Sequence, residues 1–200
     1  VYAYDANGNR LGAVVTPDAT PPSAPGAMSD SNITSDSATI TWRQAPDTFA
    51  VARYRYQING GAWSSFINSQ AANLTDLVPG TTYTVAVEAE DDAGNIGAAN
   101  SFSFTTPPSA PGTPTATNIT GNSATVTWGA ASDGAGVAGY SYQLNGGTWS
   151  AFSNVLAVTL NGLSYGTAYI VGVRAEDSTG NVGPTASGSF TTGPTAPGSP

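Results

Sequence analysis

The 200-residue chain contains no cysteine and no histidine. Without cysteine there are no disulfides and no thiolate metal sites, so each folded unit rests on packing alone. Without histidine, Ser–His and Cys–His nucleophile systems are excluded, and so is the commonest metal ligand. Cationic side chains are nearly as scarce: five arginines and no lysine stand against 13 acidic residues, a formal net charge of −8. The clustered Lys and Arg that phosphate contacts need are missing, which excludes nucleic acid and anionic membrane surfaces as partners. An acidic surface of this kind serves solubility. No apolar run approaches the roughly 18 residues of a membrane span. No leader-like segment opens the chain, and Val1 is not an initiator residue, so the sequence reads as an excerpt from something longer. Arg-Gly-Asp is absent too, leaving integrin-type adhesion without support.

What the chain does have is 24 Gly, 14 Pro and 40% apolar residues. That Gly and Pro content is shared with disordered chains. Here, however, the apolar residues recur in phase with strand-like alternation, and the sequence repeats itself. Pro21-Pro22-Ser23-Ala24-Pro25-Gly26 returns 86 positions later as residues 107–112, and Gly193-Pro194-Thr195-Ala196-Pro197-Gly198 continues the series. The two copies, 21–106 and 107–192, align without a gap and share more than half of their residues. Stepping backwards, Val87 to Asp91 with Gly94-Asn95 superposes on Val1 to Asp5 with Gly8-Asn9. Residues 1–20 therefore read as the last strands of a preceding repeat, and 193–200 as the opening of a following one.

Each copy shows about seven strand-like segments separated by turn chemistry, the signature of an all-β antiparallel sandwich. Ala38-Thr39-Ile40-Thr41-Trp42 alternates small or polar with large apolar. Tyr54, Tyr56 and Ile58 take one face of a strand while Arg53, Arg55 and Gln57 take the other. Asn59-Gly60-Gly61 supplies the positive φ of a tight hairpin, and Tyr83, Val85, Val87 and Ala89 form a further inward row. The second copy repeats the pattern with Trp128, with Tyr140, Tyr142 and Leu144, with Asn145-Gly146-Gly147, and with Tyr169, Val171, Val173 and Ala175.

The Trp on the second strand and the run Leu77-x-Pro79-Gly80-x-x-Tyr83 resemble the fibronectin type III family, of the kind found in bacterial and phage extracellular proteins. The second copy reads Leu163-x-Tyr165-Gly166-x-x-Tyr169, with the proline replaced. The resemblance implies tandem β-sandwiches in which Tyr83 and Tyr169 pin a loop through a hydroxyl-to-backbone bond. An immunoglobulin domain would instead need two cysteines and a Trp on the third strand. The proline-rich junction Thr105 to Gly112 is expected to be short and semi-rigid, and its repetition suggests a rod.

Little in the chain suggests catalysis. Glu88, Glu90, Asp91 and Asp92 are dense, but Glu88 and Glu90 are expected to point outward. A filled sandwich offers no obvious cleft for a glycosidase pair, and Arg174 replaces Glu88 in the second copy. The loop Glu90-Asp91-x-x-Gly94-Asn95-x-Gly97 recurs as Glu176-Asp177-x-x-Gly180-Asn181-x-Gly183. It has a reading as a calcium site at a domain junction through Asp91, Asn95, Asp177 and Asn181, provided a neighbouring domain adds Asp47 or Asp133. The plainer and favoured reading is a capped hairpin turn, so no cofactor other than calcium is in view. Asn59-Gly60-Gly61-x-Trp63-Ser64-x-Phe66, repeated around Trp149, could present Trp63 and Trp149 as glycan-stacking platforms. The plainer reading is that these aromatics cover the sheet. Three Asn-x-Thr sequons (Asn32, Asn73, Asn118) are expected by chance in so Asn- and Thr-rich a chain.

The leading expectation is a non-catalytic spacer, stalk or fibre of a secreted, cell-surface or virion protein, such as a tail fibre or adhesin, whose partners are neighbouring repeats or other copies of itself. One alternative is a glycan-binding or accessory module of a polysaccharide-active enzyme. Another is a filament subunit in which residues 1–20 complete a sandwich of another copy by strand addition.

Overall fold

The computed structural model describes residues 2–13, 17–48 and 50–195. Regular structure among them is entirely β. A hairpin of β1 (Tyr2–Tyr4) and β2 (Arg10–Ala13) comes first. The first copy follows with β3 (Met28–Ser31), β4 (Ala38–Trp42), β5 (Val51–Ile58), β6 (Ala71–Leu74), β7 (Thr82–Asp91) and β8 (Asn100–Thr105). These form two three-stranded sheets, β3-β4-β6 and β5-β7-β8. The second copy has β9 (Thr115–Thr117), β10 (Ser123–Thr127), β11 (Val137–Leu144), β12 (Ala157–Asn161), β13 (Ala168–Asp177) and β14 (Ala186–Thr191), in sheets β9-β10-β12 and β11-β13-β14. Every pairing whose register is defined is antiparallel. Of the expected opening of a following repeat, residues 196–200 lie outside the described residues.

By backbone contacts the chain divides into two units. One comprises Val1–Ser29, Thr41–Ala72 and Thr84–Phe102; the other comprises Asp30–Ile40, Asn73–Tyr83 and Ser103–Pro200. In the first, Val85, Val87 and Ala89 are sealed from solvent, and Trp42 packs edge-on to Tyr54 at 5.7 Å between ring centroids. In the second, Ala124, Val126, Trp128, Tyr140, Leu160, Tyr169, Val171, Val173, Ala175 and Phe190 form one core. Alternate residues of β10 and β13 point into it because side chains change face at every step along a strand. Each large apolar side chain so buried contributes roughly 1.5–3 kcal/mol.

The expected seventh strand is reduced to a single bridge in each copy, Tyr54 to Ile67 and Tyr140 to Ser153. The reason is local register. Ser64 N donates to Tyr56 O and Ile67 N to Tyr54 O, both at 2.7 Å. Two residues, Ser65 and Phe66, thus stand against one, Arg55, and a ladder cannot continue through that mismatch. Ser64 Oγ takes up the Tyr56 N–H at 3.1 Å, so no donor is stranded.

The hairpin turns and tyrosine corners follow the sequence. Asn59 and Gly60 have φ of 50° and 69°, Asn145 and Gly146 of 50° and 70°. The turns close through Gly61 N to Ile58 O and Gly147 N to Leu144 O, both 2.9 Å, the type I′ geometry that matches strand twist. Val78 N donates to the Tyr83 hydroxyl and Ser164 N to the Tyr169 hydroxyl, each at 2.8 Å. The proline that separates Val78 from Gly80 plays no part in this bond, which explains why Tyr165 can replace it. In the second unit the segment after β8 is hydrogen-bonded along its length: Thr106 Oγ1 donates to Val78 O at 2.7 Å, and Ser109 N to Ser132 O at 2.9 Å.

Candidate functional site

Two features carry the polar and aromatic residues singled out in the sequence. The first is the face of the β5-β7-β8 sheet that turns away from the core. Arg53 and Arg55 on β5 stand directly opposite Glu90 and Glu88 on β7. Arg53 engages Glu90 through Nε at 2.8 Å and Nη2 at 3.0 Å, and Arg55 Nε donates to Glu88. The expectation that these glutamates face outward holds for their direction, but not for exposure: Glu88 and Glu90 are only 8% and 7% exposed. The aromatic hairpin folds back over them. Arg53 lies 4.5 Å from the Phe66 ring centre, and Arg55 lies 5.2 Å from Trp63 and 5.0 Å from Phe66. Both Trp63 and Phe66 are half-buried.

The second copy reaches a similar arrangement from the opposite strand. Gly139 and Ser141 occupy the positions of Arg53 and Arg55, and Arg174 on β13 replaces Glu88. Arg174 lies 4.1 Å from the Trp149 ring centre and 5.5 Å from Phe152, while its Nε donates to Ser141 Oγ at 3.1 Å. Trp149 is half-buried as well. In both copies a guanidinium lies across the indole that sequence reasoning offered as a stacking platform. Cation–π contacts of this kind stabilise the face by about 0.5–1 kcal/mol each.

A shallow cleft of about 560 Å³ adjoins this face, lined by Arg53, Asn68, Glu90, Asp91 and Asp92 among others. Its Glu90 is poorly suited to act as the general acid of glycoside chemistry. The hydrogen bonds from Arg53 hold Glu90 below the ordinary carboxylate value, outweighing burial, with further help from the charges of Arg53 and Arg55. A general acid needs the opposite shift.

The second feature is the turn that follows β7 and β13. Asp91 Oδ1 accepts from Ala93 N at 2.8 Å and Asn95 N at 2.9 Å, and Asp91 Oδ2 accepts from Asn95 Nδ2 at 2.8 Å. Asp177 repeats the pattern with Thr179 and Asn181, and Asp5 with Asn7 and Asn9. Burial pushes the Asp91 and Asp177 carboxyls up, but these hydrogen bonds prevail and hold both below the usual range. Gly94 and Gly180 take φ of 87° and 91°, as a tight turn requires. The closing Gly97 is needed for close approach, since a Cβ there would come within 2.2 Å of Pro22 O. The turn is thus fully accounted for by its own hydrogen bonds.

Around Asp91, however, the structure assembles a group that spacing alone does not reveal. Carboxylate oxygens of Asp18, Asp47 and Asp91 lie within 4.8 Å of one another. Asn95 Nδ2 donates to Asp18 O at 3.2 Å, which ties residue 18 to the turn. In the 86-residue register the counterpart of Asp18 is Phe104, not an acid, so comparison of the copies could not find it. No such group of three acids forms around Asp177 among the described residues.

Comparison with known proteins fits this architecture. The fibronectin type III domain model matches twice, at residues 23–105 and 109–191. The chain belongs to the fibronectin type III family. It is 33% identical over 181 residues to Chitinase A1 of Niallia circulans, covering 86% of this chain and 26% of that protein. It is 36% identical over 169 residues to Endoglucanase B of Cellulomonas fimi, covering 76% of this chain and 16% of that one. The chain therefore spans about a quarter or less of these relatives. A two-domain fibronectin type III segment of chicken tenascin superposes with a TM-score of 0.50 at 24% identity, over 84% of this chain and 99% of that one, a likeness of fold alone. What the chain itself comprises is non-catalytic fibronectin type III domains.

Proposed function

We propose that this chain is an accessory spacer segment of an extracellular polysaccharide-degrading enzyme, holding a catalytic domain and other modules of the same polypeptide apart. The observation that carries the reading is the joint one of relatedness and coverage. Relatives named as chitinases and glucanases match it over 76–86% of its own length but only 16–26% of theirs. Chitin and cellulose are insoluble polymers that a degrading enzyme meets outside the cell, which supports an extracellular location. These relatives favour the accessory reading over the expected tail fibre, adhesin or self-assembling filament. None of the residues described above supplies an acid–base pair, so its contribution to hydrolysis is geometric.

Spacing is preferred to sugar binding because Arg55 and Arg174 lie across Trp63 and Trp149. A sugar stacking on those faces would have to displace a guanidinium. The test is excision of residues 21–192 from the full-length enzyme. Turnover of a soluble oligosaccharide should be unchanged while hydrolysis of the insoluble polymer falls. Loss of turnover on the soluble substrate would overturn the proposal, because it would place this segment in the catalytic machinery.

A further inference from the structure

The chain contains four Asn-Gly pairs: Asn7-Gly8, Asn59-Gly60, Asn145-Gly146 and Asn161-Gly162. In such a pair the glycine nitrogen can attack the asparagine side-chain carbonyl carbon, because glycine has no side chain to obstruct the approach. We infer that Asn161 is a site of spontaneous covalent modification, converting to aspartate and isoaspartate, while folding protects the other three pairs.

The protection is visible residue by residue. Asn59 Oδ1 accepts from Thr84 N, and Asn145 Oδ1 from Ile170 N, both at 2.8 Å. The carbonyl that would be attacked is thereby fastened to β7 in one copy and to β13 in the other. At Asn7-Gly8 the attacking atom is engaged instead: Gly8 N donates to Asp5 O at 3.0 Å.

Asn161-Gly162 has neither restraint, and both residues are exposed. Trp128 N donates to Leu156 O, and the β10–β12 register carried forward sets position 162 opposite Asn122. Bonded pairs alternate along an antiparallel ladder, so Gly162 N would be the next donor to Asn122 O. Leu163 N donates there instead, at 2.9 Å. The ladder steps over Gly162, whose φ is 72°. By the same alternation the backbone groups of Asn161 point away from β10. Neither Gly162 N nor the Asn161 side-chain amide has a hydrogen-bond partner among the described residues. The first copy makes the same step, with Leu77 N donating to Asp36 O and Asp76 at a φ of 58°. It carries Thr75-Asp76 at these positions, so it has no side-chain amide to react.

The chemistry needs only base and water. Base removes the Gly162 N–H proton, and the nitrogen bonds to Asn161 Cγ. The side-chain amide nitrogen takes up a proton and leaves as ammonia, which closes a cyclic imide. Water then cleaves one of the two imide C–N bonds. Cleavage at Cγ gives aspartate, and cleavage at the main-chain carbonyl gives isoaspartate, with the chain running through the former side chain. Either product places a negative charge at the end of β12. Isoaspartate also lengthens the chain between Leu160 and Leu163, both buried in the second core.

The test is peptide mapping by mass spectrometry of the chain aged in mildly alkaline buffer, both native and unfolded in urea. In the native chain Asn161 should convert at least about tenfold faster than Asn7, Asn59 or Asn145, the rate equivalent of one retained hydrogen bond. In urea the four should converge, since only folding separates them. Ageing should lower an unfolding midpoint of the native chain, and Asn161→Thr, which installs the residue of the first copy, should prevent that fall. The proposal is overturned if Asn59 or Asn145 keeps pace with Asn161 in the native chain. It is equally overturned if Asn161 stays intact while the unfolded chain reacts, or if the midpoint falls as far in Asn161→Thr.

Discussion

The two copies agree inside and disagree on one face. Their cores are nearly interchangeable: Trp42 and Trp128, Val87 and Val173, Ala89 and Ala175 occupy matching buried positions. On the outward face of the long sheet, the first copy has two Arg–Glu pairs, with arginine on β5 and glutamate on β7. The second copy has one arginine on β13 facing a serine on β11. What survives the exchange is a guanidinium lying over Trp63 in one copy and Trp149 in the other. The lesson is that this face requires a cation over the indole and is indifferent to which strand supplies it. The ion pair is a consequence of placing arginine on β5: its cross-strand neighbour Glu88 is buried and needs a positive partner.

The largest test concerns the shared interior. Trp42→Ala and Trp128→Ala should each cost about 3–5 kcal/mol, measured by denaturant unfolding, and by similar amounts. A large inequality would break the claim that the cores are equivalent. Next comes the face itself. Arg55→Ala leaves Glu88 buried and unpaired and should cost about 2 kcal/mol. Arg174→Ala leaves only Ser141 behind and should cost about 1 kcal/mol or less by the same measurement. Equal losses would mean that the ion pair adds nothing beyond the cation–π contact.

Smaller effects sharpen the comparison. Tyr83→Phe and Tyr169→Phe each remove one bond to a backbone N–H and should cost about 1 kcal/mol in both copies alike. Acid should separate the copies. Glu90 has its folded pKa depressed by Arg53, so its contribution is fully present above its ordinary value of 4.5 and is lost as pH falls through the folded value. Gly139 stands opposite Glu176 in the second copy. Thermal scans from pH 6 down to about pH 3 should therefore show the first copy losing stability faster. Arg53→Met should remove that difference.

Much of this molecule was legible in the sequence because its constraints are local or periodic. The 86-residue repeat gave the architecture, and alternation gave the core faces around Val85, Val87 and Ala89. Asn59-Gly60 gave the hairpin turn, since few residues tolerate positive φ at both central positions. Leu77 to Tyr83 gave the corner. The missing parts depend on chain that returns from elsewhere. Alternation says that Glu88 and Glu90 leave the core, but not that the hairpin carrying Trp63 and Phe66 closes over them. The seventh segment of each copy is only a bridge because, in the first copy, Ser65 and Phe66 of that hairpin meet the single residue Arg55 of β5. Asp18 was invisible for a similar reason: it has no acidic counterpart in register, and only folding sets it beside Asp47 and Asp91.

The measurement that bears most directly on the spacer account is co-sedimentation of the purified chain with insoluble chitin and cellulose. The account predicts that it stays in the supernatant with both polymers, and that Trp63→Ala and Trp149→Ala change nothing. Retention in the pellet, lost when Trp149 is replaced, would contradict it and make the aromatic face a sugar-binding surface.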